Sequence, residues 1–453
     1  MSVDLPSEGA PQRREGSLDA PTRHPLDWQN PQFYEHDALE KELERVFDIC
    51  HGCRRCFSLC ASFPTLFDAV DATVVGEVAA VPRHVYWDVV ENCYLCDMCY
   101  MTKCPYVPPH PWNVDFPHLM LRAKATRARE GRISLRDRVL SATDTVGNLA
   151  GIPIVVEVVN AANRSPTARA LLETTFGVHR DAPLPQYHAN SARKRLRKRT
   201  RRTLTSTATP KTRGKVILFT TCYGNRNEPE LAEDLVAVFE HNEIIVDLAE
   251  KERCCGMPKL ELGDLKAVAG SKEINIPVLK GLIDLGYDIV APIPSCVLMF
   301  KQELPLMFPG DAAVQAVKAR IFDPFEYLML RHEAGLLRTK FSGRLGKLSY
   351  HVPCHLRVQN MGLKTRDLLR LVPDTTIDVI ERCSGHNGTY AVKKEHRATS
   401  LKIGAPVIAR VQKASPDYYT SDCPMAGHQI ESGLEEMGAP VHPLKLLRMA
   451  YGI

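Results

Sequence analysis

Long apolar runs are missing from this chain. No stretch reaches the ~18–20 uninterrupted apolar residues that a membrane-spanning helix needs. The nearest, Gly147 to Ala162, is broken by Asn148, Pro153, Glu157 and Asn160, which predicts a buried or interfacial helix instead of a span. A Gly-x-Gly-x-x-Gly after a strand and a P-loop are missing too, so no nucleotide cofactor has a recognisable cradle. Gly385 to Gly388 is too short to serve as one. No Ser/His/Asp set and no paired carboxylates stand out, which leaves acyl transfer and glycoside hydrolysis without a candidate site. Met1 to Asp37 carries Arg13, Arg14 and Glu15 but no apolar segment. A secretory leader is therefore not expected, and the arm 1–37 is predicted to be disordered or extended.

Cysteine is plentiful: 15 residues in a chain of 453. An odd number of thiols without an export signal points to a reducing cytoplasm and to metal ligation more than to disulfides. Formal net charge is +5, yet Arg193 to Arg202 alone contributes eight Lys or Arg, so the remainder is slightly acidic. That tract has no interleaved aromatics. It is expected to be a solvated linker, with docking to an acidic partner or lipid surface as the second reading, and no nucleic-acid partner is expected.

Eight of the cysteines fall in two runs, Cys50, Cys53, Cys56, Cys60 and then Cys93, Cys96, Cys99, Cys104, the last followed by Pro105. Three cysteines spaced by two residues let one short loop supply three corners of a cubane cluster, and the fourth must come from elsewhere. Zinc sites favour pairs of C-x2-C over two triplets each with a trailing cysteine. The two runs resemble bacterial two-cluster ferredoxins, in which the fourth cysteine of each run ligates the other cluster. That resemblance implies one 4Fe-4S centre on Cys50, Cys53, Cys56 and Cys104, and a second on Cys93, Cys96, Cys99 and Cys60. Tyr94 and neighbouring rings are expected to pack around these thiolates.

Along the chain, helices are predicted over 37–47, 116–129, 135–146 and 165–176, followed by a connector to Thr212. From Lys215 strands alternate with helices, and a cysteine follows each strand: Cys222, Cys254-Cys255-Gly256 and Cys296. The pattern then repeats with Cys354, Cys383 and Cys423, offset by about 130 residues, which predicts an internal duplication. The expected architecture is α+β and multidomain. It has a ferredoxin-type domain at 38–125, a helical connector with a basic linker at 126–214, and two α/β repeats at 215–345 and 346–453.

Cys222, Cys254-Cys255-Gly256 and Cys296 resemble the cysteine-rich CCG domain found in the B subunit of heterodisulfide reductase and in the iron-sulfur subunits of glycolate, lactate and anaerobic glycerol-3-phosphate dehydrogenases. The order of motifs is most similar to the family of the C subunit of anaerobic glycerol-3-phosphate dehydrogenase. Each full repeat of that domain carries five cysteines, C…CC…C-x2-C. Here the last cysteine of the first repeat would fall at Met299, and Ser384 and Ala426 stand at two cysteine positions of the second. Cys222, Cys254, Cys255 and Cys296 then suffice for a further cluster. Cys354, Cys383 and Cys423 would need another ligand, with His355, His386 and His428 as candidates. The resemblance implies an iron-sulfur electron-transfer subunit fed by a flavoprotein dehydrogenase, for which glycerol 3-phosphate is one electron source, with a quinone as a candidate acceptor. The alternative it implies is a catalytic subunit reducing a disulfide, thiol or peroxide-linked substrate. The expected location is the cytoplasm, with peripheral contact on the cytoplasmic face of the inner membrane as an option.

Overall fold

Two all-parallel sheets carry the C-terminal half. The computed structural model describes residues 21–200, 203–434 and 438–453, so expectations for 1–20 and for Arg201 and Arg202 lie outside the described residues. The first sheet holds β1 (Lys215–Leu218), β2 (Ile245–Leu248), β3 (Asp288–Val290) and β4 (Ile321–Phe322), in the order β2-β1-β3-β4. The second holds β5 (Gly346–His351), β6 (Thr375–Ile380) and β7 (Tyr418–Ser421), in the order β6-β5-β7. Every pairing is parallel. Parallel strands are covered on both faces by their crossover helices. Accordingly Val216, Ile217, Leu218, Ile289 and Val290 are all buried.

The three strands of the second sheet repeat the connectivity of β1, β2 and β3, with the first strand of each set in the middle. The predicted duplication therefore appears as topology. In both sheets the cysteines follow the C-terminal strand ends, where loops gather ligand-binding groups in open parallel sheets. The short strand β4 and the helix Pro443–Tyr451 were not legible as periodic segments.

The N-terminal lobe is helical. Its first helix, His36–Cys53, runs six residues beyond the predicted end and carries Cys50 and Cys53 on its last turn, three positions apart and so on one face. Leu39, Leu43, Val46 and Phe47 on that helix pack with Phe63, Phe67, Tyr86, Val89 and Phe116 in an apolar core that also takes in Cys93, Leu95 and Cys99 of the second cysteine run and continues into the first repeat.

Two features of the connector differ from expectation. The basic tract is not a solvated linker over its described part: Ala192–Arg197 is a helix with Ala192 and Leu196 buried. Arg195 pairs with Glu230 at 2.8 Å and Glu233 at 3.0 Å, and Arg199 pairs with Glu240 at 3.1 Å. These charges are absorbed by acidic residues of the first repeat. The apolar stretch 147–162 is not one helix either. Thr143–Ala150 and Val155–Arg164 meet at a bend of 105° around Ile152 and Pro153. Among the described residues no single helix is long and apolar enough to cross a membrane.

The described part of the N-terminal arm is pinned to the body, and Pro31–Tyr34 forms a 3-10 turn before the first helix. Leu26 N–H donates to Leu306 O at 2.9 Å, and Trp28 Nε1–H donates to Met307 O at 3.0 Å. Arg23 is buried at the junction of the lobe with the first repeat. It bonds Asp97 at 2.5 and 3.0 Å and Asp115 at 2.8 and 3.0 Å, and lies 3.7 Å from Glu303.

Candidate metal and redox centre

In the N-terminal lobe the eight thiols fall into two neighbourhoods. Burial, then Cys104, Cys56 and Cys53, pushes the Cys50 thiol well up, and burial with Cys104 and Cys53 pushes Cys56 up to about 12. Burial, then Cys93, raises Cys60 to about 12, while burial, then Cys56, Cys93 and Cys60, raises Cys99. Cys104 neighbours the first run and Cys60 the second, while Cys99 of the second run also neighbours Cys56 of the first. Packing thiols together in a buried site disfavours their anions unless a cation is bound between them. The donor chemistry fits iron-sulfur ligation. The loop that turns the second run inward uses positive φ at two non-glycine residues, Leu95 (53°) and Asp97 (60°), on either side of Cys96. Arg23 compensates that geometry by holding both oxygens of Asp97.

The first repeat gathers a third set. Cys222 opens the short helix after β1, Cys254 and Cys255 follow β2, and Cys296 sits on Pro294–Leu298 after β3. Gly256 adopts φ 101°, a conformation that side chains rarely tolerate, and this relaxes the turn that lets both adjacent cysteines face inward. Cys222 Sγ lies 3.9 Å from Cys254 Sγ. Hydrogen bonds from Cys222 and then Cys255 hold the Cys254 thiol low. Asp144 and Thr143, from the connector, complete this surrounding: Cys254 N–H donates to Asp144 Oδ2 at 2.8 Å, and the buried Thr143 hydroxyl lies beside the Cys222 and Cys254 thiols. Sequence reasoning missed both residues, since nothing local links a connector helix to a cysteine more than a hundred positions away.

The second repeat does not gather its three cysteines in the same way. Cys354 lies within side-chain hydrogen-bonding reach of Cys383 and also of Cys96, from the N-terminal lobe. Burial raises Cys423 to about 11, and the thiol it interacts with is Cys296 of the first repeat. Of the candidate histidines, His428 is excluded as a ligand. Its Nε2 and Nδ1 are taken by Glu228 at 2.9 Å and Glu431 at 2.8 Å, and these bonds raise it to about 9, as imidazolium. His355 Nδ1 is paired with Ser295 Oγ at 2.8 Å. His386 is buried with Nε2 unpaired. Tyr94, expected as packing, places its Oη 3.8 Å from Cys383 Sγ.

Between the repeats lies a cavity of about 1080 Å³. Cys222, Cys255, Cys296, Cys354, Cys383 and Cys423 line it, together with Cys96 from the N-terminal lobe. Every cysteine of the two repeats except Cys254 thus faces the seam. Val146, Leu149, Val155 and Val159 of the bent helix pair form one wall. On the outside of the same pair Ile152, Ile154 and Val158 are exposed, Ile154 at 80%.

A pseudo-twofold pair of parallel sheets with cysteines converging on one seam defines a tandem cysteine-rich-domain protein. Residues 216–301 and 348–431 each match the model of the cysteine-rich domain, CCG, so the chain carries two copies of it. Over 342 residues it is 28% identical to the C subunit of anaerobic glycerol-3-phosphate dehydrogenase from Escherichia coli strain K12, covering 75% of this chain and 83% of that protein. It is 27% identical over 420 residues to the B subunit of the CoM/CoB fumarate reductase from Methanothermobacter marburgensis, covering 88% of this chain and 72% of that one. Lactate utilization protein A of Geobacillus kaustophilus is 29% identical over 223 residues, 46% of this chain and 87% of the relative. Two of these three relatives are by name subunits of a dehydrogenase or reductase.

Proposed function

We propose that this chain is the iron-sulfur electron-transfer subunit of an oxidoreductase, accepting electrons from a partner flavoprotein dehydrogenase and delivering them to an acceptor in the seam cavity. The observation that carries the reading is that Cys96 of the N-terminal lobe lines the seam cavity beside Cys354 and Cys383, which joins the N-terminal thiols to the cavity wall. Cys50, Cys53, Cys56 and Cys104 would hold one 4Fe-4S group, Cys60, Cys93, Cys96 and Cys99 a second, and Cys222, Cys254, Cys255 and Cys296 a third. Bound there, such groups supply one-electron transfer, with potentials tuned by hydrogen bonds and solvent exposure. The protein's own part is to bury the thiols, fix their loops through Arg23 and keep the junction at Cys96 dry. The similarity to the C subunit of anaerobic glycerol-3-phosphate dehydrogenase supports glycerol 3-phosphate as the substrate of the partner.

The apolar wall supports a quinone as acceptor, because a polar acceptor gains nothing from Val146, Leu149, Val155 and Val159. The exposed outer face of the same helices supports entry from a lipid surface, with the bent pair lying in the interface. Replacing Ile154 and Val158 with glutamate is expected to reduce co-sedimentation with lipid vesicles about tenfold or more while leaving the iron content unchanged, since a buried charge opposes insertion of that face. Equal sedimentation of variant and parent would remove the lipid-facing role from these helices.

Iron and acid-labile sulfide on the anaerobically purified chain test the centre directly. About twelve irons are expected per chain, falling by about four in Cys255→Ser, with the EPR signals of the N-terminal groups retained. About eight in both proteins would leave the first repeat without a group of its own. No iron would overturn the reading.

A further inference from the structure

We infer that Cys354 and Cys383 form a redox-active dithiol and disulfide pair between Cys96 and the cavity, converting single electrons into the two-electron, two-proton reduction of a quinone headgroup. The inference rests on the reading above that electrons reach Cys96.

The donor set of the second repeat does not fit a cluster of its own. Ser384 and Ala426, both buried, occupy two of the five positions that the repeat pattern gives to cysteine. The remaining third thiol, Cys423, interacts with Cys296 across the seam. Two thiols are left, each three residues beyond the paired strand ends His351 and Ile380, so the two loops that carry them start side by side. Cys96 lines the same cavity wall, so the pair has one side toward the N-terminal thiols. Its other side opens on the cavity.

The surroundings suit a sulfur pair that gains and loses protons. Gly385 N–H donates to Cys383 Sγ at 3.3 Å, the thiol donates to Asn387 Oδ1 at 3.4 Å, and Tyr94 Oη stands 3.8 Å away. A second observation points to a ligand. His386 Nε2 and Asn387 Nδ2 are buried without hydrogen-bond partners, and both residues line the cavity beside Cys383. Buried polar atoms without partners are rare in native structures and call for an unseen partner. The amide N–H and an imidazole N–H are donors, and a quinone presents two carbonyl oxygens.

The chemistry balances. Two electrons, one from each of two one-electron carriers, and two protons break the S–S bond and give two thiols. The dithiol then gives two electrons and two protons to the quinone. The S–S bond re-forms, and each carbonyl oxygen of the quinone becomes a hydroxyl.

The test uses the full chain with its iron in place. Photoreduced deazaflavin, a one-electron donor, is added anaerobically, followed by menadione, and each state is quenched by alkylation in denaturant and mapped by mass spectrometry. The expected result is Cys354 and Cys383 both alkylated after reduction. After menadione they are expected as one linked peptide pair, about 2 Da lighter than the two thiol peptides together. Cys354→Ser and Cys383→Ser are expected to keep the parent's iron content. Loss of about four irons in either variant would make these residues cluster ligands and overturn the proposal. A pair alkylated in every state would overturn it while leaving electron delivery to Cys96 intact. A linked pair opened by dithiothreitol but not by deazaflavin would overturn the delivery and, with it, the proposal.

Discussion

Replacing Arg23 with methionine is expected to destabilise the protein by about 3–5 kcal/mol, the cost of stranding buried carboxylates whose shared cation has been removed. Arg23 is the cation between Asp97, Asp115 and Glu303, with its side chain only 7% exposed. Burial alone would push these carboxyls up. Against it, the charge of Arg23 holds Asp115 at about 2, and His118 with Arg23 holds Glu303 at about 2. Folded values below the unfolded ones stabilise fully above the unfolded pKa and lose that stabilisation as pH falls toward the folded pKa. For this cluster the window runs from about 4.5 down to about 2. In the variant the sign reverses: without the cation, burial raises the folded values, and protonation relieves the strain. The gap in melting temperature between parent and Arg23→Met should therefore narrow as pH is lowered from about 8 to about 5. Arg23→Lys is expected to fall between the two, because one ammonium cannot reproduce two bidentate pairs. A melting temperature unchanged in Arg23→Met would show that the clamp is not what fixes the Asp97 loop.

The second large effect is expected at Cys99. Its thiol is buried among Cys56, Cys93 and Cys60, at the point where the two N-terminal neighbourhoods approach each other. Cys99→Ser is expected to lose about four irons per chain and to perturb the EPR signal of the remaining N-terminal group. Metal affinity in such a site is folding free energy for the segments that close around it. Those segments are the loops 54–61 and 92–104. The helices His36–Cys53, Ser62–Asp71, Arg83–Glu91 and Phe116–Arg129 also pack apolar side chains into the core that continues into the first repeat. Limited proteolysis should cut the variant in the two loops first while far-UV circular dichroism falls little. Cleavage spread evenly over residues 36–129 would mean that the metal, not the apolar core, holds the lobe together.

Much of the candidate site was legible because cysteine spacing is a local property. C-x2-C-x2-C restricts which thiols one loop can offer, and recurrence at nearly constant offset betrays a duplicated fold. Strand runs such as Val216–Leu218 and Tyr418–Ser421 were readable because buried strands need apolar or β-forming residues in short unbroken runs. Arg23, Thr143, Asp144 and Tyr94 were not legible as functional groups. Each acts on a residue of a distant segment, and no local pattern records that pairing. The bend at Ile152 and Pro153 escaped for a related reason. Composition predicted an apolar helix, but whether its apolar face is buried or exposed depends on what packs against it.

The sequence by itself determined the thiol inventory, the duplication, the strand-then-cysteine order and the two cysteine positions vacated by Ser384 and Ala426. These depend on residue type and spacing along the chain. Only the tertiary structure decided what surrounds the thiols of the second repeat. Cys354, Cys383 and Cys423 share one cavity with Cys96 of the N-terminal lobe and Cys296 of the first repeat, because the seam gathers residues of different segments on one wall. It also decided that Arg195 and Arg199 of the basic tract pair with Glu230, Glu233 and Glu240. Partner choice among charges is set by which surfaces the packed sheets bring within a few ångströms, and spacing along the chain holds no record of that distance.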